Sequence, residues 1–347
     1  MNEKAIKKYL SIKDIAKKAD VSPATVSNAL SGNRYVKEET KRRIKKIAEE
    51  SNYKPNIIAS GLRIKKTRLI GVIVPDIKNQ FYSQVVFGIE KVCRENNYNP
   101  LLLCTYFDDE IERAEIENLN NLYIDGLIIV YGPNRIDHIN EANRNNIPIV
   151  YGAREIEKTQ TYSVIINNKK AMKEAVNYLY KFGHRKIGYI SSSYERKLTH
   201  EKRYKGYLAG LKENNLPIDP SSIIIDDLFL SDDLDETYDL YRNYINENKG
   251  KITAIITSAD YIAVKLLGVL NDCKMKVPED LSVMGFDNIA ISQYTIPPLT
   301  TVKQPKEEMG ATAMKLLIEL IEKKKIKKKT ICLPTKIIER GTVSNAK

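Results

Sequence analysis

The residues from Ser22 to Leu30, SPATVSNAL, combine small and polar side chains at a spacing that suits contact with DNA bases. Ser22 can cap a helix, and proline at the next position fits the first turn, where its missing N–H is not needed. Helical spacing puts apolar side chains on an inward side, namely Val26, Ala29 and Leu30. It puts small or polar side chains on another side, namely Pro23, Ala24, Ser27 and Asn28. The stretch therefore predicts a short helix with one face free to enter a groove.

The segments around this helix predict two more helices that would hold it in place. Ser11 and Asp14 can form a reciprocal capping pair at the start of the first helix. Apolar residues then recur at helical spacing, namely Ile12, Ile15, Ala16 and Ala19. The third helix is predicted from Lys37 to Ser51. Two short helices joined by a tight turn could be a simple helical hairpin, but a helix-turn-helix places its second helix in the DNA major groove.

The distribution of charge separates the N-terminal segment from the rest of the 347-residue chain, whose formal net charge is +12. Residues 1–68 contain 18 Lys or Arg and 7 Asp or Glu, whereas residues 69–347 contain 38 and 37. A basic excess confined to the predicted helix-turn-helix is typical of a surface that binds phosphates. A merely lysine-rich surface would spread the excess more evenly. A separate run, residues 323–329, contains six lysines, and there a solvated surface loop is the favoured interpretation.

The cysteine and histidine residues form no pattern typical of a redox or metal site. The cysteines are scattered without a CxxC pair, so we expect reduced core thiols in a cytosolic protein. The three histidines share no metal-ligand spacing, and no cofactor or metal is expected. The N-terminus has no apolar signal-peptide core, and no apolar run approaches the length of a membrane span. These features predict a cytoplasmic location.

From Leu69 onward, apolar strand-like runs alternate with helical patterns. Near-continuous apolar strands with helical crossovers predict parallel sheets covered on both faces. The predicted strands are 69–74, 100–105, 126–131, 147–151, 164–166, 186–191, 223–225, 253–257, 281–285 and 331–338. Because the pattern occurs twice, we expect two similar α/β halves with a cleft between them. Open parallel sheets bind ligands beyond the carboxyl ends of their strands.

Several ordered motifs resemble the LacI/GalR family of bacterial transcription regulators. They are IKDIAKKADVSPATVS at 12–27, YKPN at 53–56, NIIASGLR at 56–63 and TRLIGVIVPD at 67–76. The resemblance covers nearly the whole chain. It implies a small all-α helix-turn-helix head, followed by an α/β effector domain that is periplasmic-binding-protein-like and has two doubly wound parallel-sheet lobes.

This resemblance also implies a domain organisation. The family's chain crosses three times between the lobes, and we place the crossings near Asn168, Pro297 and Thr330. The head is then residues 1–55, and the hinge helix with its linker is 56–67. The N-terminal lobe comprises 68–167 and 298–330, and the C-terminal lobe comprises 168–297 and 331–347.

For DNA binding, the resemblance implies a hinge helix that orders on the operator. Leu62 matches the leucine that enters the minor groove, where an apolar wedge unstacks a base step and gains contact surface. It could instead anchor an ordinary linker. Asn28 stands where many relatives have arginine, and asparagine favours adenine over the guanine that arginine reads. The predicted DNA contacts are Ser22, Pro23, Ala24, Thr25, Ser27, Asn28, Asn33, Tyr53, Asn56, Ala59 and Leu62.

For the effector site, the resemblance implies aromatic and charged residues that follow strands. Phe81 and Tyr82 match two aromatics that stack on the ligand, and we expect one of them in the core. Arg203 matches an arginine that grips ligand hydroxyls or a carboxylate, and Asp287 an aspartate that accepts from sugar hydroxyls. These two could instead form a structural salt bridge. Asp260 matches the second residue of an Asn-Asp pair, with Ala259 as its first residue here. Weaker candidates are Arg154, Thr199 and Phe229.

The favoured function is a homodimeric repressor that binds a palindromic operator and responds to a small, sugar-like effector in the cleft. An alternative is a regulator of the catabolite-control type, whose DNA binding is driven by a phosphorylated phosphocarrier protein. The segment from Leu198 to Tyr207 loosely resembles the corresponding segment of those regulators. An enzyme is disfavoured, because the sequence has no G-x-G-x-x-G, no Walker loop and no recognisable Ser/His/Asp spacing.

Overall fold

The computed structural model describes residues 11–31, 35–51, 53, 66–131, 137–154, 156, 161–192, 198–226 and 234–347. The chain divides into two units, residues 1–68 and 69–347. Some predicted contact residues lie outside the described residues, namely Asn33, Asn56, Ala59, Leu62 and Phe229, as does the side chain of Thr199.

The described part of the first unit has helices α1 (Ile12–Lys18), α2 (Pro23–Ser31) and α3 (Glu38–Glu50). The predicted capping pair is confirmed: Ser11 Oγ accepts a hydrogen bond from Asp14 N at 3.3 Å, and the Asp14 carboxylate accepts from Ser11 N at 2.8 Å. Ser22 Oγ accepts from Thr25 N at 3.1 Å and caps α2 in the same way. The predicted inward faces meet in one small core of Ile15, Ala16, Ala19, Val26, Ala29 and Ile44.

The second unit contains two six-stranded sheets. The first has the order β11-β5-β4-β3-β1-β2 and is parallel throughout. Its strands are β1 (Leu69–Val74), β2 (Asn99–Cys104), β3 (Gly126–Val130), β4 (Ile149–Gly152), β5 (Tyr162–Ile166) and β11 (Thr330–Leu333). The second has the order β12-β10-β9-β8-β6-β7, with β12 antiparallel to β10. Its strands are β6 (Ile187–Ser192), β7 (Ile223–Asp226), β8 (Ala254–Thr257), β9 (Ser282–Asp287), β10 (Thr300–Lys303) and β12 (Lys336–Ile338).

Helices cover these sheets, as the alternating pattern predicts. They are α4 (Gln80–Glu95), α5 (Asp109–Asn121), α6 (Asp137–Ala142), α7 (Asn168–Lys181), α8 (Leu198–Glu213), α9 (Leu234–Asn248), α10 (Asp260–Asp272) and α11 (Lys306–Ile321). One apolar core runs through both lobes, and each lobe has a further cluster of its own. Successive β1 residues pack into different clusters, because successive strand side chains point to opposite faces of the sheet. Val72 belongs to the core that runs through both lobes, and Ile73 belongs to the separate cluster of the first lobe.

Two glycines allow α4 and α11 to pack with their backbones close together. A Cβ on Gly88 would lie 2.1 Å from the carbonyl oxygen of Glu307, and a Cβ on Gly310 would lie 1.9 Å from that of Val85. Any side chain at either position would therefore push the two helices apart. Of the described helices, none is long and apolar enough to span a membrane.

Two predicted lobe crossings are wrong by several residues. Thr300–Lys303 is a strand of the second sheet, so the chain crosses after Lys303 and not near Pro297. The predicted strand 331–338 is two strands: β11 lies in the first sheet and β12 in the second, so the last crossing lies near Pro334 and not near Thr330. Proline has no N–H for a ladder, so it ends β11 where the chain changes sheets.

The cysteine prediction is partly wrong. All four cysteines, Cys93, Cys104, Cys273 and Cys332, are free thiols. Cys93 is buried, and burial raises the pKa of its thiol to about 12. Cys332, in contrast, is exposed, because β11 is the edge strand of its sheet.

Candidate functional site

The first unit presents the α2 face that the sequence predicts. Pro23 and Ala24 are exposed, and Ser27 and Asn28 are half-buried, while Val26 on the other side is fully buried. Ser22 is exposed, and its hydroxyl also lies 2.9 Å from the Thr25 hydroxyl. A helix with this distribution can lay small side chains against base edges while its apolar side holds it on α1 and α3.

The other two helices of the head also carry exposed basic side chains. Lys13, Lys17 and Lys18 are exposed on α1, and Arg42 and Arg43 are exposed on α3. Tyr53 differs from the other predicted contacts, because its side chain is half-buried against the head core. It therefore also has a packing role.

In the second unit, the carboxyl ends of strands from both sheets meet at one cavity. The first lobe contributes Asn79, Phe81, Tyr82, Phe107, Tyr131, Ala153, Ile165 and Ile166. The second lobe contributes Asn168, Arg203, Ala259 and Asp287, and Gln304 lies on the crossing after β10. Strand ends are where open parallel sheets bind ligands.

Four aromatic rings form the first-lobe side of this cavity. The Tyr82 ring centroid lies 5.3 Å from that of Phe81, 5.8 Å from that of Tyr131 and 6.4 Å from that of Phe107. Phe107 and Tyr131 both have φ of 64°, in the left-handed region; Tyr131 directly follows β3, and Phe107 lies three residues after the end of β2. Both Phe81 and Tyr82 are buried and line the cavity, so they do not divide into one core residue and one cleft residue as expected.

Arg203 is held firmly on the second-lobe side. Its Nε donates to Asn168 Oδ1 at 2.9 Å, and its Nη1 donates to the Ser258 carbonyl at 2.6 Å. The guanidinium carbon lies 4.0 Å from the centroid of the Phe286 ring. Among the described residues, none accepts a hydrogen bond from Nη2. The side chain is 5% exposed and lines the cavity, so Arg203 can offer a donor to a ligand there.

Asp287 lies opposite this donor, with Oδ1 at 3.8 Å from Arg203 Nη1. That separation is an ion pair without close hydrogen-bond geometry, and Oδ1 instead accepts from Gln304 Nε2 at 2.5 Å. Burial raises the pKa of Asp287 to about 7, because desolvation outweighs the attraction of Arg203. The carboxyl group can therefore act as an acceptor or as a donor near neutral pH.

The backbone at Asp287 is strained and is fixed from several sides. Asp287 has φ of 124° and Asn288 has φ of 53°, and such conformations cost about 1–3 kcal/mol each in a residue with a side chain. Lys306 Nζ donates to the carbonyls of both residues, and Arg340 Nη2 donates to Asn288 Oδ1 at 2.6 Å. Lys306 is buried at the start of α11, a first-lobe helix, so these bonds join the two lobes.

Two predicted effector residues have structural partners instead of ligand space. The Asp260 carboxylate accepts from Ile289 N at 3.0 Å, from Ser292 Oγ at 2.5 Å and from Thr301 Oγ1 at 2.5 Å. It is fully buried and, among the described residues, is not one of those lining the cavity. The prediction of Asp260 as a ligand contact fails because its acceptor positions fix the turn after β9.

Arg154 is likewise away from the described cavity wall. Its Nη1 lies 2.8 Å from Glu112 Oε1, and His138 Nε2 lies 2.7 Å from the other oxygen of that carboxylate. Burial alone would raise the pKa of Glu112, but the His138 hydrogen bond and the Arg154 charge hold it below its usual value. The carboxylates of Asp109 and Glu112 with His138 have the proximity of a cation site, yet Arg154 already supplies the positive charge.

Three residues that line the cavity are not predicted from the sequence, namely Gln304, Phe107 and Tyr131. Gln304 follows β10, and Thr300-Thr-Val-Lys303 was not recognised as a strand because its threonines are polar. Had it been recognised, the strand-end rule would have placed Gln304 at the cleft. Phe107 and Tyr131 also follow strand ends, but an aromatic there reads equally well as core.

The cavity is small, at about 40 Å³. A water molecule needs roughly 10–15 Å³ by this measure, so the cavity holds about three waters and no sugar. A ligand larger than that enters only if the two lobes separate.

These features define a class: a helix-turn-helix DNA-binding unit joined to a two-lobed domain with an interlobe ligand cavity. Comparisons with known proteins agree with it. Residues 11–56 match the family of bacterial regulatory proteins called the lacI family, and residues 176–343 match the periplasmic binding protein-like domain. The chain is 34% identical to catabolite control protein A of Priestia megaterium over 94% of this chain and 97% of that protein. It is 34% identical to the transcriptional repressor CytR of Escherichia coli (strain K12), over 95% of each chain.

Solved structures give the same result. The Lac repressor bound to ONPG in the repressed state matches with a TM-score of 0.83 at 25% identity, over 97% of this chain and 100% of that one. The regulator CcpA of Lactococcus lactis matches with a TM-score of 0.72 at 26% identity, over 80% of this chain and 99% of that one. The chain belongs to the lacI family of bacterial regulatory proteins, and it is a DNA-binding transcriptional regulator.

Proposed function

We propose that this regulator is a repressor that binds a palindromic operator as a homodimer and responds to a small, sugar-like effector in the interlobe cavity. The observation that carries the proposal is the cavity itself, where Arg203 and Asp287 face one space at the strand ends of the second lobe. Amide groups of Asn168 and Gln304 and four aromatic rings complete its wall.

A polyol fits this chemistry because each hydroxyl both donates and accepts hydrogen bonds. The free Nη2 of Arg203 supplies donors, the Asp287 carboxyl supplies an acceptor, and aromatic faces cover the apolar C–H surface of a sugar ring. Two amide groups and one carboxylate also suit a ligand with little net charge.

On the DNA side, we propose that α2 reads the major groove through Ser22, Pro23, Ala24, Thr25, Ser27 and Asn28. Their exposure on one side of a capped helix supports this assignment. We assign Asn33, Tyr53, Asn56, Ala59 and Leu62 to further operator contacts from the sequence resemblance alone.

Exposed apolar side chains on the second unit support self-association. Phe87 is 58% exposed on α4, and Tyr294 and Ile296 are 70% and 96% exposed beside β10. A homodimer would cover such side chains and would present two heads to a palindrome. Substituting Ile296 by aspartate should weaken the dimer, as measured by sedimentation.

The direct test is a thermal-shift screen of the whole protein with sugars and sugar phosphates, followed by operator binding with each hit. An effector should raise the melting temperature of the second unit and change operator affinity. A hit that stabilises the protein but leaves operator affinity unchanged would not be an effector. A screen in which Arg203→Lys responds like the wild-type protein would remove Arg203 from the site.

A second candidate is control by a phosphorylated phosphocarrier protein. Relatives named catabolite control protein A support it, and so does a cavity too small for a sugar as it stands. A pull-down with phosphoserine-bearing and unmodified phosphocarrier separates the two candidates. We infer further that the chain acts in the cytoplasm by binding and not by catalysis, since its relatives are transcriptional regulators.

A further inference from the structure

The loop between α11 and β11, residues 322–329, carries a charge density that the functions above do not use. Six of the seven residues from Lys323 to Lys329 are lysine, and all six are exposed. Without them, residues 69–347 contain 32 Lys or Arg against 37 Asp or Glu. The second unit is therefore acidic apart from this loop.

The loop has a defined path in spite of its charge. Ile326, between two groups of three lysines, is half-buried and packs against the main core. Lys324 Nζ lies 2.7 Å from Glu322, and Lys329 Nζ lies 5.8 Å from the Tyr162 ring. No described acid lies within ion-pair distance of Lys325, Lys327 or Lys328, so three like charges remain together at the surface.

The topology places this loop at the amino-terminal end of the strands of the first sheet. All strands of that sheet are parallel, so the loop before β11 and the start of β1 lie at the same end of the sheet. The two strands are four inter-strand spacings apart, or about 19 Å. Leu69, the first residue of β1, follows directly on the DNA-binding unit.

Chain connectivity limits how far the start of β1 can lie from the DNA-binding unit. Tyr53 and Leu69 are sixteen positions apart, and a chain of that length reaches at most about 55 Å. DNA presents one phosphate charge per roughly 1.7 Å of its axis, so many phosphates beside the operator lie within reach. Tethering raises the local concentration of those phosphates without any further binding energy.

We propose that the lysine loop, residues 323–329, is a second DNA-contact surface that binds phosphates flanking the operator. It adds affinity that is independent of sequence and strongly dependent on salt. An ordinary explanation is that lysines near the C-terminus of α11 interact with the helix dipole, but this effect falls off within the last turn. It does not account for Lys327 and Lys328, which follow the buried anchor Ile326.

The test compares the full-length protein with a Lys325→Gln, Lys327→Gln, Lys328→Gln variant. A matched control carries Lys249→Gln, Lys274→Gln and Lys276→Gln, three exposed lysines that precede β8 and β9 of the second sheet. Operator sequence is first selected by the protein from random DNA. Affinity is then measured against salt on a duplex of about 20 base pairs, two half-sites one turn apart, and on one with about 15 more on each side.

On the long duplex, the loop variant should lose about 0.9 in the slope of log K against log salt for each lost phosphate contact, which is about 2.7 for the three lysines of one loop and about 5.4 for both loops of a homodimer. Its affinity deficit should then be at least about 40-fold larger at 50 mM than at 200 mM salt. On the short duplex, the loop variant should have the affinity and salt dependence of the wild-type protein. The control variant should match the wild-type protein on both duplexes.

Equal slopes for the loop variant and the control on the long duplex would overturn the proposal. An equal loss of affinity on both duplexes would also overturn the proposal, because the loop lysines would then act without contacting the DNA that flanks the operator. Operator binding on the short duplex is measured separately, so a failure of the repressor function itself is visible as loss of binding by every protein. Unchanged melting temperatures keep a structural effect apart from a DNA effect.

Discussion

Replacing Arg203 by alanine should destabilise the second unit by an amount that depends on pH. The substitution removes two hydrogen bonds from a buried charged donor, at 2.9 Å to Asn168 and 2.6 Å to Ser258. Hydrogen bonds to charged groups contribute about 1.5–3 kcal/mol each, so we expect a loss of about 3–6 kcal/mol. For a domain of this size that lowers the melting temperature by about 6–24 °C.

The pH dependence follows from Asp287. Its pKa of about 7 is raised above the unfolded value, so the folded state holds its proton more strongly, and stability falls as pH rises toward that value. Removing Arg203 takes away the attraction that opposes desolvation and raises this pKa further. At pH 6 the carboxyl is largely protonated with or without Arg203. At pH 8.5 the wild-type carboxylate is ionised beside Arg203, whereas the variant must either keep its proton at that pH or bury a carboxylate without that cation, and both cost stability. The difference in stability should therefore widen between pH 6 and pH 8.5.

The assay is thermal unfolding of full-length wild-type, Arg203→Ala and Arg203→Lys proteins at both pH values, with operator release measured on the same samples. Arg203→Lys keeps the charge and loses the planar donor set. Its stability should therefore vary with pH as that of the wild-type protein does, but it should not regain the effector response. Arg242→Ala is the control and should cost little, because it removes an exposed arginine whose ion pair with Asp239 is a surface pair on one helix. A stability difference between the wild-type and Arg203→Ala proteins that does not vary with pH would refute the pairing of Arg203 with Asp287. If the Arg203→Ala protein still responds to the effector, Arg203 is a structural residue and not a ligand contact.

Three further predictions concern other parts of the chain. Asn28→Ala should lose about 1–3 kcal/mol at one adenine of each half-site, seen as one relaxed position when binding sites are selected from random DNA. Gly310→Ala should destabilise the second unit by about 1–3 kcal/mol in chemical denaturation, because its Cβ would meet the Val85 carbonyl oxygen. Glu112→Gln should cost about 3–5 kcal/mol because it breaks the buried ion pair with Arg154. Because the pKa of Glu112 is lowered, its stabilisation is present at neutral pH and lost in acid, so the variant should show a flatter acid limb in unfolding against pH.

Sequence reasoning predicted the fold well where one local rule applied. The capping residues Ser11 and Ser22 start their helices because a side-chain oxygen must satisfy an end N–H, which is a local requirement. The apolar strands, such as Leu69–Val74, were equally clear because burial on both faces excludes polar residues. The rule fails for Thr300–Lys303, whose buried threonines satisfy their hydroxyls with distant partners, as Thr301 does with Asp260.

The candidate site was predicted less completely, for a similar reason. Arg203 and Asp287 lie at the cavity as the resemblance implied, but nothing local distinguishes Asp287 from Asp260. Both carboxylates are buried close together. One faces the cavity and the other accepts three hydrogen bonds from a turn, and that difference depends on residues 29 to 41 positions away in the chain.

The small cavity and the strained loop at Asp287 have a joint consequence for regulation. A ligand larger than a few waters enters only when the lobes separate, and we expect separation to weaken the bonds from Lys306 to the carbonyls of Asp287 and Asn288. Without these bonds, Asp287 and Asn288 lose part of what holds them at positive φ. An effector that binds the Asp287 carboxyl also competes with Gln304, so it affects the same loop from the cavity side. The proposed effector thus has different contacts in the open and closed states, and only such a difference allows a ligand to shift the equilibrium between two conformations.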